Sequence, residues 1–528
     1  MKSVKPSSGV RTTTPSPMKQ PPGASARSRY ASVSMRCFGV ALLLLLILVT
    51  GRGLMPIGIS AALGGSVLLV ALDRRNPLCL RNFFIVYSVA LFALGIPLFD
   101  LVDRSLYADM LIYIVAFLIG YALSAGMRPI RPSRQYDVAT RTAGSIGRVH
   151  RAEETIRVLA FVTVLSLALK IATYGVGSFY GGQALVDQFA TYGAASVSGG
   201  VTQIVNFFLR YTSIAAVVIY VQASLSAAVG IRYRYPLVLL VGLPILSLAR
   251  SDALIGAGFV LVIYGVERRI AARPSGSNSH QVTPTVAPVG RKRTRRSLAM
   301  ATIMVTALLA ALVIGGLRQS RMSPAANVSA LERSVPLLQS EFTPIQAYAE
   351  IKENQEILGR PYGSTIVWPL VFKVVPRGLF PGKPNNSGAY YMSKVRPLEF
   401  AAGYALPPTF FGDIFLNFGT VGAILGCLLL GFVAARLDVA YKEPQLSRIA
   451  WFLIVYANFY SLLRSPLSES LAGLLLTTLA WFALRQLVLG GALRRATPAV
   501  SGPLVRTATT SQGGRRPLPM WGSQGNDC

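Results

Sequence analysis

The chain is poor in charged residues for its length. Only 14% of its 528 residues are Asp, Glu, Lys or Arg, whereas soluble globular domains average about 25%. Apolar residues make up 52% of the chain and gather in long runs. These properties exclude an ordinary soluble domain and predict an all-α polytopic integral membrane protein.

Histidine and cysteine are too scarce and too scattered to indicate a metal site. The sequence has two histidines, His150 and His280. Its four cysteines show no CxxC or CxxH spacing: Cys37, Cys79, Cys427 and Cys528. Neither HExxH, nor GxSxG, nor a phosphate-binding P-loop is present. We therefore expect no disulfide framework, no metal and no cofactor.

Acidic residues are scarce as well. The chain has 21 Asp and Glu against 52 Lys and Arg, a formal net charge of +31. In a soluble protein such an excess suggests nucleic-acid binding. Here the basic residues lie mostly in short loops between apolar runs and in the two tails, a pattern typical of membrane topology. We expect no nucleic-acid partner.

Twelve apolar runs approach the length of about 20 residues that a membrane-spanning helix needs. They lie near residues 33–50, 54–72, 82–99, 106–126, 156–174, 204–229, 235–249, 252–266, 298–317, 412–435, 448–463 and 467–489. The short breaks around Arg52, Arg250 and Arg464 predict tight helical hairpins.

The distribution of basic residues agrees with twelve spans. One side receives both tails and the loops near 74–81, 128–157, 232–234, 291–296 and 436–448. The other side receives Asp100, Asp103 and Asp109, and no Lys or Arg between residues 174 and 206. Because cytoplasmic loops carry the excess of Lys and Arg, both termini are predicted to be cytoplasmic.

The spans divide the chain into five predicted segments. These are a disordered basic tail at 1–32, nine spans at 33–317 with a disordered loop at 273–297, a large external loop at 318–408, three spans at 409–489, and a disordered basic tail at 490–528. Within the external loop, apolar residues at 343–358 follow a helical period, and Gly and Pro then predict irregular structure.

Several cations are predicted to approach the outer membrane surface. They are Lys170, Arg210, Arg250, Arg318, Arg321, Arg377, Lys383 and Arg464. Guanidinium groups bind phosphate oxygens in bidentate fashion, so the cluster suits a lipid-linked phosphate or diphosphate. The alternative is that they extend to the headgroups as ordinary anchors. Lys170 and Arg210 lie inside apolar runs, where charged side chains usually face a polar cavity. The anchor explanation is therefore weaker for these two residues.

Asp413 begins the tenth span, and Asn417 lies one turn further along the same helix face. A carboxylate here is a candidate catalytic group, or it merely complements the helix dipole. The glycines that follow predict close helix packing, and they are Gly419, Gly422, Gly426 and Gly431.

Five motifs carry a family resemblance. They are LARSD at 248–252, GRPY at 359–362, VPR at 375–377, PGKP at 381–384 and GDIFLNFG at 412–419. Together with the many spans and one large outer loop, they resemble the bacterial oligosaccharide repeat-unit polymerases, also called O-antigen polymerases. The resemblance covers about a third of the chain. Asp413 stands where the family pattern leads us to expect Glu.

The resemblance implies a metal-independent membrane glycosyltransferase in the bacterial inner membrane. It would join two polyprenyl-diphosphate-linked oligosaccharides at the outer face, with inversion, making O-antigen, capsule or exopolysaccharide. The implied partners are this lipid-linked substrate, membrane lipids, a chain-length regulator and a flippase.

The resemblance also implies roles for individual residues. The diphosphate would be held by Arg210, Arg250, Arg318, Arg321, Arg377 and Lys383, with Lys170, Arg464 and Asn417 as further binding residues. Asp413 is the first candidate for the general base, followed by Asp252 and Glu399. Tyr390, Tyr391 and Tyr404 would stack on sugars or act as interfacial anchors.

Two other functions fit the same hydropathy. One is a transporter or flippase for a lipid-linked glycan, which the lack of a visible internal repeat disfavours. The other is an O-antigen ligase, a related outer-face enzyme whose characteristic outer-loop histidine this chain lacks.

Overall fold

The computed structural model describes residues 54–73, 76–99, 101, 104–127, 143–174, 197–227, 229–242, 250–271, 330–373, 375, 380, 382–401, 406–442 and 446–490. This part of the chain is helical and contains no strand. The all-α prediction is thereby confirmed for it.

The first helices are α1 Leu54–Ala71, α2 Leu80–Leu98, α3 Arg104–Gly126, α4 Ala143–Tyr174, α5 Val197–Ser226, α6 Arg234–Leu237 and α7 Arg250–Ala271. The helices of the predicted external segment are α8 Ala330–Glu353, α9 Gln355–Leu358, α10 Ser364–Val371, α11 Ser387–Val395 and α12 Pro397–Ala401. The last are α13 Thr409–Lys442, α14 Leu446–Arg464 and α15 Leu467–Arg485.

Five described helices are long and apolar enough to cross a membrane, which indicates a membrane protein. They are Leu80–Leu98, Ser105–Gly126, Phe208–Ser226, Thr409–Lys442 and Leu467–Val488. The predicted runs at 33–50 and 298–317 lie outside the described residues. The number of twelve spans and the outer position of the long loop remain predictions.

Rows of exposed apolar side chains run along the candidate spans. On α13, Val421, Leu425 and Leu429 are 69%, 58% and 62% exposed, and α3 carries a similar row that includes Val115 and Ile119. The residues of each row are four apart, so they share one helix face. Large exposed apolar surfaces mark contact with other molecules or with membranes. On helices of this length and composition, lipid is the natural contact.

Glycines bring α3 and α13 into backbone contact. A Cβ added to Gly431 would lie 2.0 Å from the Phe117 carbonyl oxygen, and one added to Gly120 would lie 1.9 Å from that of Leu428. Small residues allow this approach between membrane helices. The predicted close packing is thus confirmed at Gly431.

Helix α13 bends sharply at Gly419, which has φ 69° and ψ −167°. Only glycine adopts this backbone conformation readily. The bend folds the first part of the helix back, so that Ile414 lies beside Gly426, and Gly422 meets the side chain of Phe418. Gly422 and Gly426 therefore pack against the segment of α13 that precedes the bend.

The predicted external segment is more regular than its composition suggests. The helical period at 343–358 is confirmed by α8 and α9. The Gly- and Pro-rich remainder, expected to be irregular, contains α10, α11 and α12. Local capping explains part of this difference, because the Asn386 side chain accepts the Ala389 N–H at 2.8 Å and Pro397 begins α12.

Candidate functional site

Asp413 is fully buried in the part of α13 that precedes the bend. Its Oδ2 accepts the backbone N–H of Leu467 at 2.6 Å, and its Oδ1 accepts from Asn417 Nδ2 at 3.1 Å. Leu467 is the first residue of α15, whose N-terminal N–H groups have no partner within the helix. Asp413 therefore caps α15 from a helix 54 residues earlier in the chain.

Asn417 joins this carboxylate to the segment before α10. Its Nδ2 also donates to the Asp413 carbonyl at 2.8 Å, while its Oδ1 accepts the Gly363 N–H at 2.8 Å and the Thr365 hydroxyl at 3.0 Å. Asn417 is fully buried, and both ends of its amide have partners. This network fixes α13, α10 and the start of α15 relative to one another.

Glu469 is a second carboxylate in the first turn of α15. Its Oε1 lies 3.2 Å from Lys373 Nζ and accepts from Asn386 Nδ2 at 2.9 Å. The side chain is 41% exposed. Glu469 is not among the site residues predicted from the sequence. The signal that was available is a carboxylate three residues after Pro466, in a polar turn between two apolar runs.

Lys383 contacts the same region through hydrogen bonds to backbone carbonyl groups. Its Nζ donates to the carbonyl oxygens of Lys373 at 3.2 Å and Val375 at 3.0 Å. Because Lys373 pairs with Glu469, this contact ties the segment around Lys383 to the start of α15.

Arg464 lies just before this helix start, and Arg210 neighbours Tyr211, which packs further along α15. Arg464 ends α14 and donates to the Tyr460 hydroxyl at 2.9 Å. Arg210 is exposed on α5, with its guanidinium 5.8 Å from the Tyr211 ring centre. Tyr211 packs against Gly473, whose added Cβ would lie 2.8 Å from it. At a rise of about 1.5 Å per residue, Gly473 is roughly 9 Å along α15 from Leu467.

Glu399 belongs to a different cluster. It is exposed and pairs with Arg396, whose Nη1 lies 2.8 Å from its Oε1. Arg396 and Tyr391 both donate to Glu350 on α8. Burial alone would raise the pKa of Glu350, but the hydrogen bonds from Arg396 and Tyr391 outweigh it and hold that pKa below its ordinary value. We call Glu350, Tyr391, Arg396 and Glu399 the α8 latch.

A third polar network connects α8 to α3. Lys352 Nζ lies 2.7 Å from Asp109 Oδ2, which also accepts the Tyr348 hydroxyl at 2.8 Å. The hydroxyls of Tyr348 and Tyr113 are 2.8 Å apart. Burial raises the pKa of Tyr348, so its phenol stays protonated. The network fixes α8 to the bundle.

Seven predicted site residues, or their side chains, lie outside the described part of the chain. Arg318, Arg321, Arg377 and Tyr404 lie outside the described residues, as do the side chains of Lys170, Arg250 and Asp252. The backbone places Lys170 near the end of α4, and Arg250 and Asp252 in the first turn of α7.

The start of α15 therefore collects two carboxylates, two lysines and an amide, and Arg464 ends the preceding helix. We call Asp413, Glu469, Lys373, Lys383 and Asn386 the α15 cluster. Within the part of the chain that the structure describes, no group of three His, Cys, Asp or Glu residues is arranged to hold a metal ion. The chemistry available at this cluster is proton transfer by a carboxylate and binding of anions by cations.

The five long apolar helices indicate a helical membrane protein. Comparisons with protein-family models, curated proteins and solved structures find no match for this chain. The resemblance to oligosaccharide polymerases thus remains a prediction from the motifs.

Proposed function

We propose that this protein polymerises polyprenyl-diphosphate-linked oligosaccharide repeat units into a surface polysaccharide at the outer face of a bacterial inner membrane. The observation that supports it best is the α15 cluster, in which carboxylates and cations from three distant segments share one helix start. Ionisable groups near a membrane are costly and usually serve a function.

The reaction needs few chemical groups. The acceptor hydroxyl oxygen attacks the anomeric carbon of the donor, and the bond from that carbon to the diphosphate oxygen breaks. The diphosphate departs with the bonding electrons, so cations that hold it lower the barrier. The hydroxyl proton passes to a carboxylate acting as general base.

The carboxylates of Glu469 and Asp413 differ in solvent exposure. Glu469 is partly exposed, whereas Asp413 is fully buried and both its oxygens have partners. We therefore assign proton removal to Glu469 and the positioning of α15 to Asp413. Among the described cations, our candidates for binding the diphosphate are Lys373, Lys383, Arg210 and Arg464. Lys373 and Lys383 would exchange their present partners for it. Proposed additions are Arg377, Arg250, Arg318, Arg321 and Lys170.

A deletion strain tests the function. Its surface glycan, separated on a gel, should collapse from a ladder to a single repeat, and the wild-type gene should restore the ladder. An unchanged ladder would reject the polymerase. Loss of the single repeat from the surface as well would instead support a flippase or a ligase, the two alternatives with the same general layout.

A further inference from the structure

Arg360 stands apart from the other cations at its end of the bundle. Its side chain is exposed and, among the described residues, makes no hydrogen bond or ion pair. Four other basic side chains of the predicted external segment have partners in the chain: Lys352, Lys373, Lys383 and Arg396. Within the described part of the chain, no partner therefore competes with an outside molecule for the Arg360 donors.

The loop that carries Arg360 has an unusual and well-supported backbone. Gly359, Tyr362 and Gly363 have φ of 64°, 48° and 86°. A positive φ is unfavourable for tyrosine and persists only where the surroundings enforce it. The buried Asn417 provides that support by accepting the Gly363 N–H. Such backbone strain often marks a ligand-binding segment.

The loop 359–363 lies beside the bend of α13, where the row of exposed apolar side chains on that helix begins. A Cβ added to Gly419 would lie 3.2 Å from Arg360 Nη2, and one added to Gly363 would lie 3.2 Å from Phe418. The row itself starts two residues after the bend, at Val421, which is 69% exposed. The Arg360 guanidinium is thus held at the boundary between an apolar, lipid-facing surface and a polar segment.

Exposed aromatic residues flank this arginine. Tyr362 is 76% exposed, and Trp368 on the neighbouring α10 is 54% exposed, next to exposed Val367 and Val371. Trp and Tyr are enriched where protein meets the headgroup layer. The apolar face of α10 and the apolar row of α13 therefore suit one occupant, the bilayer.

We propose that the loop 359–363 binds the phosphate group of a membrane lipid, with Arg360 as the phosphate ligand. A guanidinium binds phosphate oxygens through paired charge-assisted hydrogen bonds. The phosphate can come from an ordinary anionic phospholipid or from a polyprenyl diphosphate. Only the second source rests on the proposed polymerase function.

Lipid titrations of the purified full-length protein, followed by native mass spectrometry, test this site. The probes are phosphatidylglycerol, a sugar-free polyprenyl diphosphate, and polyprenol, which lacks phosphate. The proteins are wild type, Arg360→Ala, Arg360→Lys and Lys394→Ala. Lys394→Ala is the matched control, because Lys394 is an exposed cation nearby. Its Nζ donates to the Leu358 carbonyl, which also accepts a hydrogen bond from the Tyr390 hydroxyl.

Arg360→Ala should weaken binding of at least one phosphate probe about tenfold or more, since hydrogen bonds between charged groups are lost. Arg360→Lys should recover part of it, and Lys394→Ala and polyprenol binding should be unchanged. Loss for the diphosphate alone assigns the site to the lipid-linked substrate, and loss for both probes assigns it to phosphate lipids in general. Equal binding of both probes by wild type and Arg360→Ala, or an equal loss in Lys394→Ala, would overturn the proposal. A wild-type melting temperature for Arg360→Ala confirms that the variant is folded.

Discussion

Asp413 has a structural counterpart in Asp438, and the pair shows what a buried aspartate does in this bundle. Each accepts the N–H of the first residue of another helix, Leu467 for Asp413 and Leu80 for Asp438. Asp438 also accepts the Tyr121 hydroxyl at 3.0 Å. A negative charge at a helix N-terminus is stabilising. The burial of Asp413 is thus explained by helix capping, without reference to catalysis.

Glu469→Gln should therefore abolish the glycan ladder, whereas Asp413→Asn should leave a weaker ladder. Gln cannot take a proton from the acceptor, although it retains an oxygen for the Asn386 amide. Asn at 413 keeps an acceptor for the Leu467 N–H. Ladders from cells that express each variant at the wild-type level provide the measurement. The reverse pattern, with the ladder lost in Asp413→Asn and kept in Glu469→Gln, would make Asp413 the base.

Helices could be predicted from this sequence far better than their contacts. Apolar run length locates α2, α3, α14 and α15 to within a few residues, and the turn after Arg464 is present as expected. The bend in α13 could not be located, because Gly419 is one of five glycines in the predicted run and only tertiary contacts show which one adopts a positive φ. The pairing of Glu469 with Lys373 joins residues 96 positions apart, which no local pattern encodes.

The α8 latch connects α8 to α11 and α12 and depends on one carboxylate. Glu350 is mostly buried and accepts from both Arg396 and Tyr391. Because its pKa in the folded protein is lowered, its ionised form favours folding. This contribution is complete above the unfolded pKa of about 4.3 and is lost as pH falls through the lower folded value.

Glu350→Gln should lower the melting temperature at pH 7, and the difference from wild type should shrink below about pH 4.3. The variant removes the charge that holds Arg396 while keeping the side-chain size. Thermal unfolding in detergent, followed by tryptophan fluorescence across this pH range, measures the effect. Glu353→Gln is the control, since Glu353 is exposed on the same helix. A difference between Glu350→Gln and wild type that stays constant with pH would contradict the charge-based role.

At the scale of the whole molecule, the apolar outer surface of the helices explains where the polar clusters lie. Exposed rows on α3 and α13 face outward, while glycine contacts at Gly120 and Gly431 close the two helices against each other. Lipid is the natural contact of the outer surface, whereas helix starts and bends leave backbone groups that polar side chains can satisfy. The α15 cluster and the Arg360 loop both lie at such places, and the catalytic proposal requires that both face the outside of the cell.

Cysteine labelling of intact cells tests that orientation directly. In a background with Cys37→Ser and Cys528→Ser, the native Cys79 and Cys427 are buried and should stay unlabelled. Leu398→Cys, at a position that is 87% exposed, should react with a membrane-impermeant maleimide added outside. Ile146→Cys, on the predicted cytoplasmic side and 61% exposed, should react only after the membrane is permeabilised. Labelling in the opposite order would place the α15 cluster inside the cell and reject an outer-face polymerase.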